Sequence, residues 1–144
     1  MPFVPAAGTD YSRPRFPLER LDIISVVIPA HNEQSVLSRC LEALLADAEP
    51  GEFEVVVVCN GCTDETATVA RGFGDSVQVC GIPVASKIAA LNEGDARVSG
   101  FPRFYLDADI VLGTRELRTV ADALDDQPLM VAAPRPVVDL NGAS

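Results

Sequence analysis

The chain is short of positive charge: 11 Lys and Arg stand against 21 Asp and Glu, leaving a net charge of −10. Nucleic acid and anionic membrane surfaces are both recognised through basic patches, so neither is an expected partner. No apolar run reaches the eighteen or so residues that cross a bilayer. The opening MPFVPAAGTDYSRPRFPLER lacks the basic start and apolar centre of a secretory signal, and the four cysteines (Cys40, Cys59, Cys62, Cys80) do not make a disulfide framework. Cytosol is therefore the expected compartment. Two motifs are also missing: no Gly-x-Ser-x-Gly nucleophile turn occurs, and no Gly-x-Gly-x-x-Gly follows the first strand. There are no internal repeats.

What is present is ordinary globular material, 48% hydrophobic and 22% charged over 144 residues, enough for one domain with a sizeable core. Residues 1–21 carry Pro2, Pro5, Pro14 and Pro17 without apolar periodicity and read as an arm outside a domain spanning 22–144. The β-branched run 23–28, ended by Pro29, predicts a buried strand. Val36, Leu37, Cys40, Leu41, Leu44 and Leu45 recur at helical spacing, and Pro50-Gly51 stops that helix. Further strands are predicted at 53–59, 77–80 and 104–106, with a last one from Leu129 to Ala133. Helices are expected around Ala67–Ala70, from Lys87 to Val98 behind a Ser86 cap, and after a Thr114 cap with the face Leu117, Val120, Ala121 and Leu124. Asn32 reads as a helix cap, with Glu33 in the first turn. Strands alternating with helices across short loops predict an α/β fold: an open, doubly wound, mostly parallel sheet of Rossmann type.

In such a sheet the loops after the strands share one edge, where ligands bind. Those loops here are 29–33, 59–64, 81–87 and 107–109, and they hold the polar residues. The pivotal one is Phe104-Tyr105-Leu106-Asp107-Ala108-Asp109. Side chains i and i+2 project to one side, so Asp107 and Asp109 are expected to face one spot. Two neighbouring carboxylates call for a cation, a donor cluster or water, and a hard divalent ion with oxygen ligands fits the pair. A solvated turn closing the strand is the plainer alternative. His31, the only histidine, is either a packed loop residue or a ligand contact. Cys59-x-x-Cys62 lacks the second pair that zinc needs and straddles a glycine turn, which favours a structural turn with one buried thiol. Lys87 stands at the helix end disfavoured for a cation, so an anionic neighbour is expected, either a carboxylate or a ligand phosphate.

Four of these stretches, in order, resemble the family-two glycosyltransferases with the GT-A fold. Ile24-Ser25-Val26-Val27-Ile28-Pro29-Ala30-His31-Asn32-Glu33 is similar to their opening strand and loop. Lys87 followed by Ala90-Leu91-Asn92-Glu93-Gly94 is similar to their next motif, and Asp107-Ala108-Asp109 to their Asp-x-Asp. Their Asp-Asp-Gly-Ser-x-Asp signature corresponds to Cys59-Asn60-Gly61-Cys62-Thr63-Asp64, where the paired acids are replaced by an uncharged Cys and Asn. The resemblance implies that Pro29, Ala30, His31, Asn32 and Glu33, with Asn60 and Gly61, hold a nucleotide base and ribose. It implies Lys87 near the phosphates and Asp107 toward the ribose or the metal. Asp109 would ligate a Mn²⁺ or Mg²⁺ ion bridging the diphosphate of a nucleotide-diphospho-sugar donor. Family members continue into an acceptor-binding half that supplies the catalytic base. This chain is expected to hold the donor half, with the acceptor unknown and an exposed sheet edge open to self-association. A haloacid-dehalogenase phosphatase would need downstream motifs that 35 residues leave little room for. A non-catalytic nucleotide-binding or interaction module is the alternative.

Overall fold

The computed structural model describes residues 23–126, with the side chains of Asp125 and Asp126 left aside. The predicted arm 1–21, the strand 129–133 and Asp139 lie outside the described residues. The described order is β1 (Ile24–Ala30), α1 (Leu37–Leu45), β2 (Phe53–Asn60), α2 (Thr66–Arg71), a 3-10 turn (Gly74–Ser76), β3 (Gln78–Ile82), α3 (Lys87–Arg97), β4 (Arg103–Tyr105) and α4 (Thr114–Asp126).

All strand pairs are parallel, in the order β3-β2-β1-β4. β1 is central and every residue of it is buried, which is why it reads as an unbroken β-branched run rather than an alternating one. Its even-numbered residues Val26 and Ile28 join Val55 and Val57 of β2 in a core shared with Leu37, Leu41 and Leu44 of α1 and Leu117 of α4. Val27, Val56 and Val58 point the other way, against Ala90 of α3 and Val98. The sheet is thus covered on both faces, as the doubly wound expectation requires. Truncating Leu41 or Leu44, both fully buried, to alanine would cost about 2–5 kcal/mol.

Three local expectations fail. Pro29 does not end β1: pairing with β2 continues as Pro29 with Val58 and Ala30 with Cys59. Ser25 donates its N–H to the Pro102 carbonyl and Leu106 donates to the Val27 carbonyl, so odd-numbered β1 residues hydrogen-bond toward β4. Pro29 therefore directs its missing N–H toward β4 and leaves the β2 ladder intact.

Asn32 does not cap α1. That helix begins at Leu37 behind Val36, without a side-chain cap or an acid in its first turn. Asn32 has φ of 51°, the left-handed region that asparagine tolerates, whereas a capping residue needs extended backbone. Thr114 does not cap α4 either. Its buried hydroxyl donates to the Leu44 carbonyl at 2.7 Å and accepts from the Asp47 N–H at 3.1 Å, satisfying backbone groups left open at the end of α1. The Gly113 N–H goes instead to Glu116 Oε1 at 3.0 Å. Ser86, by contrast, caps α3 as expected, accepting from the Ala89 N–H at 3.1 Å.

Candidate functional site

Chain order runs outward from β1 through β2 to β3, then returns to place β4 on the other side of β1. The sheet therefore has a switch point between β1 and β4, the position where open α/β sheets bind ligands beyond their strand ends. Pro29 opens this crevice. After Leu106 N–H to Val27 O, the next rung between β1 and β4 would need a donor from residue 29, and proline has none. Pairing stops there, and Asp107 leaves the sheet.

A cleft of about 240 Å³ lies at this point, lined by Pro29 of β1, His31 and Glu33 after it, Asn60 of β2, Lys87 of α3, and the stretch 107–109 after β4. A larger hollow, about 460 Å³, sits near Pro50 and Phe53 at the opposite end of the strands; its ionisable groups are Glu49 and Asp75, with no cation. The polar loops thus converge as their place in the fold demands. Asp107 and Asp109 both reach the cleft, with Ala108 buried between them and the turn closed by Ile110 N–H to the Asp107 carbonyl at 3.0 Å.

Three predicted residues do not line the cleft but brace it. Ala30 is buried, and its carbonyl accepts from Asn60 Nδ2 at 3.1 Å and from the Cys62 thiol at 3.3 Å. Asn32 Oδ1 accepts the Thr63 N–H at 2.8 Å, clasping the β1 loop to the β2 loop. Gly61 donates to the Ile82 carbonyl at 2.9 Å with φ of 57°, and a Cβ there would meet the Ala85 backbone at 2.8 Å. Only glycine fits that close approach. In the Cys59-x-x-Cys62 turn Cys59 is the buried thiol, while the Cys62 thiol serves the turn, also receiving the Asn32 N–H at 3.3 Å.

Asn60 is buried with one polar end committed to Ala30. Its backbone carbonyl accepts from His31 Nδ1 at 2.7 Å, which assigns the ring proton to Nδ1 and leaves Nε2 without that role. Lys87 finds a carboxylate: its ammonium lies 2.5 Å from Asp107 Oδ1, both side chains more than half exposed. Glu33 has its carboxyl pushed up, first by burial and then by the negative charges of Asp109, Asp107 and Asp64. Three carboxylates against one ammonium leave the cleft negative, with the acids near enough to repel.

Sequence reasoning did not find Thr66 and Asp64 as supports. The Thr66 hydroxyl accepts the Glu33 N–H at 2.9 Å and donates to Asp64, whose other oxygen accepts the Gln34 N–H at 3.3 Å. These bonds hold Asp64 below the usual carboxylate range. Asp64 stands in the stretch matched to the family's second-strand signature and Thr66 shows only as turn chemistry, and neither says which loop they reach.

Comparison with known proteins agrees with this geometry. Residues 25–143 match the model of glycosyl transferase family 2. Validoxylamine A glucosyltransferase of Streptomyces hygroscopicus subsp. limoneus is 31% identical over 106 residues, 70% of this chain and 23% of that protein. Glycosyltransferase AglE of Haloferax volcanii is 34% identical over 94 residues, 62% of this chain and 31% of that protein. The chain thus spans less than a third of the length of these curated relatives. Among solved structures, TarS 1-349 of S. aureus in complex with UDP superposes with a TM-score of 0.65 at 24% identity, covering 72% of this chain and 32% of that 1-349 chain. Glucosyl-3-phosphoglycerate synthase of Mycobacterium tuberculosis, in complex with Mn²⁺, UDP and phosphoglyceric acid, gives a TM-score of 0.53 at 27% identity, covering 62% and 34%. The fold is that of the GT-A glycosyltransferases, and the chain belongs to glycosyl transferase family 2.

Proposed function

We propose that this chain is the donor-binding part of a glycosyltransferase that moves a sugar from a nucleotide-diphospho-sugar to an acceptor, assisted by a divalent cation. The observation that carries the reading is the convergence of Pro29, His31, Glu33, Asn60, Lys87, Asp107 and Asp109 on one negative cleft at the sheet's switch point. Solved structures of similar fold in complex with UDP, one of them also with Mn²⁺, support it.

The roles follow from what each group has left to offer. Asn60 donates Nδ2 to the Ala30 carbonyl, so its Oδ1 is the acceptor for an N–H on the base edge. His31 keeps Nε2 for the base or ribose. Ala30, Asn32 and Gly61 hold these two loops in register rather than touching the nucleotide. Asp107 and Asp109 are hard oxygen donors beside a third carboxylate, the setting that favours Mn²⁺ or Mg²⁺. Asp109 and Asp107 would be the residues that hold the ion; among the described residues no group of three or more His, Cys, Asp or Glu is placed to hold a metal by itself. When bound, the ion supplies charge stabilisation to the departing nucleoside diphosphate. Lys87 adds a positive charge at the N-terminus of α3, where phosphate is favoured. The base that accepts the acceptor's proton is assigned to no residue here.

Calorimetry of UDP and GDP binding, with Mn²⁺ and then with EDTA, tests the reading on this chain and on Asp109→Asn. Binding that needs the metal and disappears in Asp109→Asn is expected. A folded chain that binds neither nucleotide would sink it.

β4 is an outer strand among the described residues, with Tyr105 and nearby Phe101, Ile110 and Val111 exposed. This supports self-association through that edge, which sedimentation velocity at two concentrations would detect as a concentration-dependent coefficient. An unchanged coefficient would remove the idea. No described helix is long and apolar enough to cross a membrane.

A further inference from the structure

Lys87 is the one lysine or arginine lining the cleft among the described residues, and it is already engaged. Its ammonium lies 2.5 Å from Asp107 Oδ1 with the two side chains 61% and 52% exposed. It also sits on the first residue of an eleven-residue helix, the end where the backbone favours an anion over a cation. Two demands thus compete for one ammonium: Asp107 holds it now, and a phosphate at the helix end would suit it better. Asp107, in turn, is one of two carboxylates positioned for a divalent ion.

We infer that Lys87 is an exchangeable counter-ion, occupying Asp107 until a divalent cation takes its place and the donor's diphosphate receives the released ammonium. This rests on the donor-site reading above and adds to it an order of dependence. Metal alone must displace Lys87 from Asp107 and leave the ammonium without a partner. Nucleotide alone must draw Lys87 away and leave Asp107 facing Glu33 and Asp109 without a cation. Bound together, each ligand repairs the charge the other leaves, so each strengthens the other by one common factor. No bond is made or broken; the exchange moves charge between three oxygen-bearing partners.

The test measures Mn²⁺ binding without nucleotide, by the electron paramagnetic resonance of free Mn²⁺, and UDP binding with and without Mn²⁺ by calorimetry. The proteins are the chain, Lys87→Met and Arg97→Met, each shown to be folded by circular dichroism. Arg97 pairs with Glu93 near the far end of α3, so its loss changes net charge equally without touching the cleft. An exposed pair of this kind is worth a small factor, so Lys87→Met is expected to tighten Mn²⁺ binding without nucleotide by about two- to fivefold. It should also weaken UDP and reduce the factor by which Mn²⁺ strengthens it, while Arg97→Met changes neither. Unchanged Mn²⁺ affinity in Lys87→Met, or equal tightening in both variants, would overturn the exchange while leaving the donor site standing. A wild-type chain that binds neither Mn²⁺ nor UDP would remove both.

Discussion

Gly94 tests how tightly α3 is fitted to the sheet. It is buried in the middle of the helix, where glycine ordinarily costs about 1 kcal/mol relative to alanine. Propensity alone therefore predicts that Gly94→Ala stabilises. Packing predicts the reverse, because a Cβ at Gly94 would lie 2.3 Å from Val27 Cγ1 and 3.2 Å from Val58 Cγ2. Val27 cannot yield cheaply: it is fully buried in the central strand, and a β-branched side chain has few rotamers to move into. Overpacking of this kind costs about 1–3 kcal/mol, which outweighs the helical gain or cancels it. The expected net effect is a loss of about 0–2 kcal/mol, read as a lower urea midpoint at unchanged m-value. Val27→Ala removes the methyl at 2.3 Å and leaves the milder contact with Val58, and in that background Gly94→Ala should raise the midpoint, by a stabilisation of up to about 1 kcal/mol. The sign change between backgrounds is the signature. A higher midpoint for Gly94→Ala in the wild-type background, or the same shift in both, would refute the claim that contact with β1 decides this position.

Two further outcomes follow from the charges. Glu33 has its carboxyl held above the usual range, so wild-type stability should fall as pH rises from the ordinary glutamate value through the folded one. Glu33→Gln should abolish that slope and melt higher at neutral pH without metal, by under about 1 kcal/mol for a partly exposed group; a lower melting temperature would show that the carboxylate is satisfied in a way its neighbours do not indicate. Arg118 grips Glu52 with Nε at 2.5 Å and Nη2 at 2.7 Å and also reaches the Asp47 carbonyl, tying α4 to the segment before β2. That grip holds the Glu52 carboxyl below its usual range. The pair's contribution, about 1 kcal/mol after discounting for exposure, is present above the ordinary glutamate pKa and lost as pH falls through the folded one. Arg118→Ala should flatten that acid-side loss in pH-dependent urea melts, and an unchanged acid slope would argue against it.

The layered α/β fold was legible because its cause is local. β1 and β2 are covered on both faces, so they appear as runs of Val and Ile, and α1 announces itself through Leu37, Cys40, Leu41 and Leu44 on one face. Once the strands are parallel, the gathering of their following loops at one edge is a geometric consequence, which is why Pro29, His31, Glu33, Asn60, Lys87, Asp107 and Asp109 could be grouped in advance. What was hidden depends on partners distant in sequence. Asn32 and Thr114 belong to the residue types that cap helices, yet each spends its oxygen across the fold, on Thr63 and on Leu44 with Asp47. Composition states what a side chain can bond to, and only the fold states which unsatisfied backbone group comes within reach.

Pro29 shows the same limit with a functional consequence. As a residue type it signals the end of a strand, and on the β4 side that is what it does: no N–H is available for the rung after Leu106 to Val27. On the β2 side the ladder proceeds to Ala30 and Cys59 as if the proline were absent. One missing hydrogen therefore separates two strands that would otherwise stay paired, and it does so at the switch point of the sheet. The carbonyl of Ala30, kept in register with β2, then receives Asn60 and Cys62, while Asp107, released from β1, is free to face Lys87 and the cleft. The two halves of the site are thus divided by a backbone property of a residue that carries no chemistry of its own.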